Sequence, residues 1–66
     1  MRLKINGDWL DLAGPRSVAA LLEARLLPPK RVAVELNGRI VPRARYAETH
    51  LSENDALEIV TLVGGG

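Results

Sequence analysis

The sequence contains no cysteine and no phenylalanine, and it has a single histidine, His50. Without cysteine there can be no disulfide, no thiolate nucleophile and no cysteine-based metal site. One imidazole does not make a metal site either, so we expect no bound metal. The 66 residues suffice for one domain with a small core, but they leave little room for a pocket that completes a reaction. We therefore expect a protein that is not an enzyme and has no catalytic residues.

An excess of charge of one sign is also missing, because nine Lys and Arg residues stand against eight Asp and Glu residues. Acidic and basic residues are interleaved, which argues against a dedicated nucleic-acid or membrane-surface binder. The sequence has no apolar run of membrane-spanning length and no signal-peptide pattern. The expected compartment is the cytoplasm.

Two Asn-Gly pairs predict two-residue hairpin turns, the first at Asn6-Gly7 and the second at Asn37-Gly38. The second turn joins a strand at 31–36 to a return strand at 39–41. Pro42 cannot donate to a ladder, so we expect this return strand to be short or to lie on a sheet edge. In the first hairpin, strand alternation separates a core face from an opposite face. The core face carries Leu3, Ile5, Leu10 and Leu12, and the other face carries Lys4, Trp9 and Asp11.

One helix is predicted between the two hairpins. Ser17 is a good N-cap because its hydroxyl can accept from a free N–H of the first turn. Pro28 and Pro29 stop the helix at or before Leu27. The predicted apolar stripe of this helix consists of Val18, Leu21, Leu22 and Leu26.

The last third of the sequence predicts an irregular connection and a long final strand. A single helical turn within 44–51 would let Tyr46 and Leu51 cover one end of the core. Residues 56–63 alternate as a strand suited to the centre of the sheet. Leu57 and Ile59 would face the helix, while Glu58, Val60 and Leu62 would face away.

Three glycines end the sequence, and they divide it into a predicted domain at 1–63 and a flexible tail at 64–66. Glycine has no Cβ and reaches both signs of φ, so this tail can enter a groove too narrow for other residues. A terminal carboxyl group is ionised at neutral pH. The carboxylate of Gly66 is therefore the candidate reactive group, whereas the simpler interpretation is a mobile chain end.

Four segments together resemble the thiamine-biosynthesis sulfur carrier proteins, which are ThiS-like members of the ubiquitin-like β-grasp group. The sequence LNGRIVPR at 36–43 is similar to that family's N-x-x-I/V-V-P-R segment, and Tyr46 stands where the family usually has an aromatic residue. The sequence ENDALEIV at 53–60 resembles the family's entry into the final strand, with Asn54 in place of the usual Gly. Gly65-Gly66 matches the terminal di-glycine, and Gly64 stands where Ala is common.

The resemblance implies an α+β fold, a ubiquitin-like β-grasp with a mixed sheet of four to five strands and one main helix across it. It also implies that Gly64 and Gly65 thread into a separate adenylating enzyme, where the Gly66 carboxylate attacks the α-phosphate of ATP. A sulfur donor, ultimately a persulfide on a cysteine desulfurase, then converts the acyl-adenylate to a thiocarboxylate. Thiazole synthase takes that sulfur. The protein itself binds no cofactor, since the partner enzyme uses the ATP.

Partner docking is expected on the sheet face opposite the helix. Val60 and Leu62 would form an exposed apolar patch there, flanked by Lys4, Arg39 and Glu58. When it is not bound to a partner, the protein is expected to be a monomer.

Three other functions remain open at this point. The small subunit of molybdopterin synthase has the same fold and tail, although that family tends to be longer and Phe-rich in its core. A ubiquitin-like protein modifier would use the same acyl-adenylate chemistry to form isopeptide bonds. A β-grasp interaction module with an inert tail is the third alternative.

Overall fold

The computed structural model describes residues 1–62, so the predicted tail at 64–66 and the end of the predicted last strand at Val63 lie outside it. Five strands form a single sheet in the order β2-β1-β5-β3-β4. One α-helix, α1, lies between β2 and β3, and short 3₁₀ turns precede β3 and follow β4. The elements are β1 Arg2–Ile5, β2 Asp8–Asp11, α1 Val18–Ala24, a 3₁₀ turn Pro29–Arg31, β3 Val32–Leu36, β4 Arg39–Val41, a 3₁₀ turn Arg43–Arg45 and β5 Ala56–Thr61.

Both predicted hairpin turns are confirmed. Asn6 and Gly7 have φ angles of 51° and 89°, and Asn37 and Gly38 have φ angles of 51° and 84°. Positive φ at both central residues is the backbone geometry that Asn-Gly favours, because it matches the twist of the flanking strands. The first turn sets Ile5 opposite Asp8, so the alternating core face extends across both strands.

The start of α1 is as predicted, since the Ser17 hydroxyl accepts a hydrogen bond from the Ala20 N–H at 3.1 Å. Such a cap satisfies one of the backbone donors that the first helical turn leaves free. Three apolar side chains of the predicted stripe are fully buried against the sheet, namely Val18, Leu21 and Leu22.

The prediction that Leu26 belongs to this stripe is wrong. The helix ends at Ala24, and Leu26 has a left-handed φ of 58° with 89% of its surface exposed. A left-handed residue breaks the helical period, so its side chain leaves the buried face. The N–H of the following residue, Leu27, donates to the Leu22 carbonyl at 2.8 Å. Leu27 is therefore the residue that packs beside the core at this end of the helix.

The central position of β5 and the faces of its side chains are confirmed. This strand pairs in parallel with β1 and antiparallel with β3. Leu57 and Ile59 are buried under α1, whereas Val60 is exposed. Tyr46 and Leu51 close one end of the core, as predicted. The full buried set is Leu3, Ile5, Val18, Leu21, Leu22, Val32, Val34, Val41, Tyr46, Leu51, Leu57 and Ile59.

Within residues 1–62, no helix is both long and apolar enough to cross a membrane.

Candidate functional site

The sheet has one face covered by α1 and a second face that no described element covers. We call the second one the outer face. Its members follow from register, since residues paired across strands point to the same side. The outer face consists of Arg2, Lys4, Trp9, Asp11, Ala33, Glu35, Ile40, Ala56, Glu58 and Val60.

An apolar patch occupies the part of the outer face formed by β5, β3 and β4. Val60 is 58% exposed and pairs with Ala33. Ile40 is 78% exposed on the edge strand β4. Leu62 follows β5 at the same parity as Val60 and is 41% exposed. Exposed apolar side chains that lie together on a small domain are typical of a protein-partner contact.

Ile40 was not among the predicted docking residues. Its position follows from its pairing with Glu35, which points away from the core, and from the burial of the next residue, Val41. The alternation of Arg39, Ile40 and Val41 was a signal that could have identified it, once Val41 was assigned to the core.

Arg39 is on the opposite side of the sheet from the predicted patch. It pairs with Leu36, whose side chain packs against the core, so its own side chain emerges toward the helix side at the β4 edge. There it lines a shallow groove with Pro42 and Arg45. The prediction that Arg39 flanks Val60 is therefore wrong, because strand alternation gives that side to Ile40.

The charged residues of the outer face divide into two groups. At one end, Trp9 lies under two cations, with the Arg2 guanidinium carbon 4.2 Å and the Lys4 ammonium nitrogen 5.8 Å from its ring centroid. Such cation–π contacts hold both cations beside the ring. In the middle of the sheet, Glu58 lies directly opposite Glu35. Two like charges directly across a sheet repel each other. The two carboxylates together give the middle of the outer face a negative charge.

Two asparagine side chains fasten β5 between the hairpins. The Asn6 amide donates to the Ile59 carbonyl at 3.1 Å and accepts from the Ile59 N–H at 2.7 Å. Asn37 accepts from the Ala56 N–H at 2.9 Å and donates to an Asp55 carboxylate oxygen at 3.0 Å. The sequence indicated these residues only as turn formers. Their side chains in addition position the strand that leads to the glycine tail.

We expect Asn6→Asp to lower the free energy of unfolding by about 1–2 kcal/mol, because a carboxylate oxygen would then face the Ile59 carbonyl without a donor. Aspartate tolerates the left-handed backbone nearly as well as asparagine, so the loss would report on the hydrogen bond. Urea unfolding measures it.

The matched control is Asn54→Asp. Asn54 has a similar φ of 70°, and its side chain takes part in none of the side-chain hydrogen bonds found within residues 1–62. Equal losses in the two variants would contradict a special role for the Asn6 amide.

Comparison with known proteins gives consistent matches. The model of the ThiS family matches residues 3–66, and so includes the glycine tail. The sulfur carrier protein ThiS of Bacillus subtilis is 39% identical over 67 residues, which cover 97% of this chain and 98% of that protein. The crystal structure of the thiamine biosynthesis protein ThiS from Geobacter metallireducens superposes with a TM-score of 0.83 at 33% identity, with both chains fully covered.

A longer relative is also similar. A thiazole synthase of Paramagnetospirillum magneticum is 41% identical over 66 residues, which is all of this chain. The match covers 20% of that protein, so this chain spans about a fifth of the length of that thiazole synthase.

The mixed five-stranded sheet, its single α-helix and the structural match define a β-grasp protein, as the resemblance implied. The chain belongs to the ThiS family.

Proposed function

We propose that this chain is a sulfur carrier of thiamine biosynthesis and that the carboxylate of Gly66 carries the sulfur. The observation that supports this most is the family match, which runs through the final glycine. The relatives of similar length from Bacillus subtilis and Geobacter metallireducens support the same function by their names.

The proposed reaction begins at the carboxylate. A Gly66 oxygen attacks the α-phosphorus of ATP on an adenylating enzyme, and pyrophosphate leaves. A persulfide supplied by a cysteine desulfurase then attacks the acyl carbon, and AMP leaves with the bridging oxygen. A thiol cleaves the resulting sulfur–sulfur bond and is itself oxidised to a disulfide, which leaves the thiocarboxylate on Gly66. Glycine has no side chain beside the acyl carbon, so attack there is unhindered.

In this proposal the domain contributes binding and delivery rather than catalysis. Ordering a backbone costs roughly 1–2 kcal/mol per residue, so threading Gly64 and Gly65 into a partner must be offset by contacts elsewhere. The apolar patch around Val60 and Leu62 is the proposed source of those contacts. Lys4 and Glu58 form a charged rim on the same face.

Thiazole synthase is the proposed acceptor of the sulfur. Thiazole synthases of Paramagnetospirillum magneticum and Magnetococcus marinus each contain a segment similar to this whole chain, which covers 20% of their length. A carrier-like segment within a thiazole synthase supports a working partnership between the two.

Intact-mass analysis tests the proposal. The chain is incubated with ATP, its adenylating enzyme, a cysteine desulfurase, cysteine and a thiol reductant. We expect a mass increase equal to the difference between sulfur and oxygen, and no change when ATP is omitted. Thiazole synthase and its other substrates should then return the mass to its starting value.

Three outcomes of this experiment and of a search for conjugates in cells would contradict the proposal. No mass change in the complete mixture would exclude a sulfur carrier. Sulfur that is consumed by molybdopterin precursor and its synthase, but not by thiazole synthase, would indicate the other carrier pathway. Conjugates to lysines in cells, without transfer to thiazole synthase, would indicate a protein modifier.

A further inference from the structure

Strand β5 is longer than the strand that flanks it on one side. β1 pairs with it only through Lys4 with Ala56 and Ile5 with Leu57, and the chain then turns away at Asn6. On the other side, β3 pairs with β5 as far as Thr61. Among residues 1–62, no other strand takes the place of β1 beside the end of β5. We call this stretch, at Thr61 on the β1 side, the open edge.

The hydrogen bonds show which backbone groups of β5 point toward the β1 side. The Asp55 carbonyl accepts from the Lys4 N–H and the Leu57 carbonyl accepts from the Asn6 N–H, both at 2.9 Å. The N–H and carbonyl of Ile59 bond to the Asn6 amide. The odd-numbered residues of this stretch thus face β1, and the Asn6 side chain continues the ladder by one position beyond the end of β1.

The even-numbered residues face β3. The Ala56 carbonyl accepts from the Asn37 N–H, and the Leu62 N–H donates to the Arg31 carbonyl, both at 2.7 Å. Because backbone groups alternate sides along a strand, the N–H and carbonyl of Thr61 must face the open edge. Outside the strand ladders no backbone hydrogen bond reaches either group within residues 1–62, and the β1 ladder ends at Leu57.

On the neighbouring strand β3, Val32 lies opposite Thr61, and its backbone carbonyl does have a hydrogen-bond partner. β3 also continues beyond its partner β4, and its Val32 carbonyl accepts a hydrogen bond from the buried Tyr46 hydroxyl at 3.3 Å. On β5, the Asn6 side chain likewise bonds to the N–H and carbonyl of Ile59. Thr61 is the next residue of β5 whose backbone groups face the β1 side, and no side chain of residues 1–62 bonds to them. An uncovered donor and acceptor on an exposed strand edge are a template for an added strand.

We propose that an extended segment of the adenylating enzyme adds to the open edge, and that it bonds to the N–H and carbonyl of Thr61. This rests on the proposed function, which supplies the enzyme. Thr61 lies between Val60 and Leu62 of the apolar patch, so the added strand would be continuous with the proposed docking surface. Only Leu62 and Val63 separate Thr61 from the glycine tail. Backbone pairing at Thr61 therefore fixes the direction in which the chain enters the enzyme.

Amide exchange tests this most sharply. In the free protein we expect the Thr61 N–H to exchange rapidly. The N–H of Val60 should be protected by β3 and that of Leu62 by the Arg31 carbonyl just before β3. Adding the adenylating enzyme without ATP should slow exchange at Thr61 by about 100-fold or more, as pairing to a stable strand does. Unchanged exchange at Thr61 in a saturated complex would overturn the proposal. Slowing that depends only on the concentration of this chain would overturn it too, because the added strand would then come from a second copy.

A backbone variant supplies a second test. Thr61→Pro removes the N–H at the open edge. It leaves the bonds of Val60 to β3 and of Leu62 to Arg31, and proline is tolerated on such edges. We expect KM for adenylation to rise by about tenfold, the size of one lost hydrogen bond. Thr61→Val keeps the N–H, so it should raise KM much less than Thr61→Pro does. A folded Thr61→Pro variant with wild-type KM would overturn the proposal.

A synthetic chain with an ester in place of the Val60–Thr61 amide is the alternative where the proline variant does not fold. It removes the Thr61 N–H without adding a ring, and it also weakens the Val60 carbonyl as an acceptor toward β3. The same rise in KM is expected, and a wild-type KM would again contradict the proposal. At saturating enzyme both variants should still acquire sulfur. Failure of the wild-type chain to acquire it would overturn the proposed function instead, while exchange in the ATP-free complex still reports on the open edge.

Discussion

A chain whose Gly66 carboxylate is converted to an amide will show no adenylation above the background of the assay. The amide lacks the anionic oxygen that attacks phosphorus, while the folded domain and its docking face are unchanged. ATP–pyrophosphate exchange catalysed by the adenylating enzyme measures the loss. Because the unreactive chain should still dock, it should also inhibit adenylation of the unmodified protein.

Deletion of Gly66 is the matched comparison, since it leaves a carboxylate on Gly65 but shortens the tail by about 3.5 Å. Adenylation should again be lost, this time because the carboxylate does not reach the α-phosphate. Activity in the deletion variant but not in the amide would show that reach is unimportant. Wild-type activity of the amide would contradict the proposed chemistry altogether.

Replacing Val60 with Asp will reduce kcat/KM for adenylation by about 10- to 100-fold without unfolding the domain. Burying a valine side chain contributes about 1.5–3 kcal/mol, and each 1.4 kcal/mol is a factor of ten in affinity. Val60 is 58% exposed in the free domain, so a carboxylate there can stay solvated until a partner covers it. Circular dichroism and thermal unfolding check that the fold is retained.

Leu26→Asp is the control for this variant. Leu26 is a large apolar residue that is 89% exposed, but it lies at the end of α1 rather than on the outer face. The control should adenylate at the wild-type rate. An equal fall in both variants would contradict a docking role for Val60. Unfolding of the Val60→Asp protein would contradict its assignment to the outer face.

Much of the fold could be predicted because its signals are local. Asn6-Gly7 and Asn37-Gly38 specify turns through their own backbone preferences, and both turns form as expected. Period-two alternation placed Leu57 and Val60 on the correct sides of β5. The length of the last strand, after an irregular connection, correctly favoured the centre of the sheet for β5.

The errors arose where a conformation depends on neighbouring elements. Leu26 has the spacing of a buried helical residue, yet its left-handed backbone ends the helix and turns the side chain outward. Arg39 lies on the opposite side of the sheet from its predicted position, because its side depends on the register of β4 against β3. No short-range pattern indicates that the Asn6 amide spans to Ile59, which is 53 residues away in sequence.

A single strand, β5, connects the domain to its glycine tail. Asn6 and Asn37 anchor β5 from the two hairpins, and the strand then continues beyond β1 toward the glycines. The domain in this account holds the base of the tail in a fixed direction. The proposed chemistry takes place at the far end, on a partner that supplies the ATP.

The most direct test of the account is to locate the sulfur. After reaction with ATP, the adenylating enzyme and the sulfur donor, the chain is fragmented and its C-terminal peptide is analysed by tandem mass spectrometry. We predict that the added mass lies on Gly66 alone and is absent from the C-terminal amide treated in the same way. Sulfur on any other residue, or sulfur on the amide, would contradict a carrier that works through its terminal carboxylate.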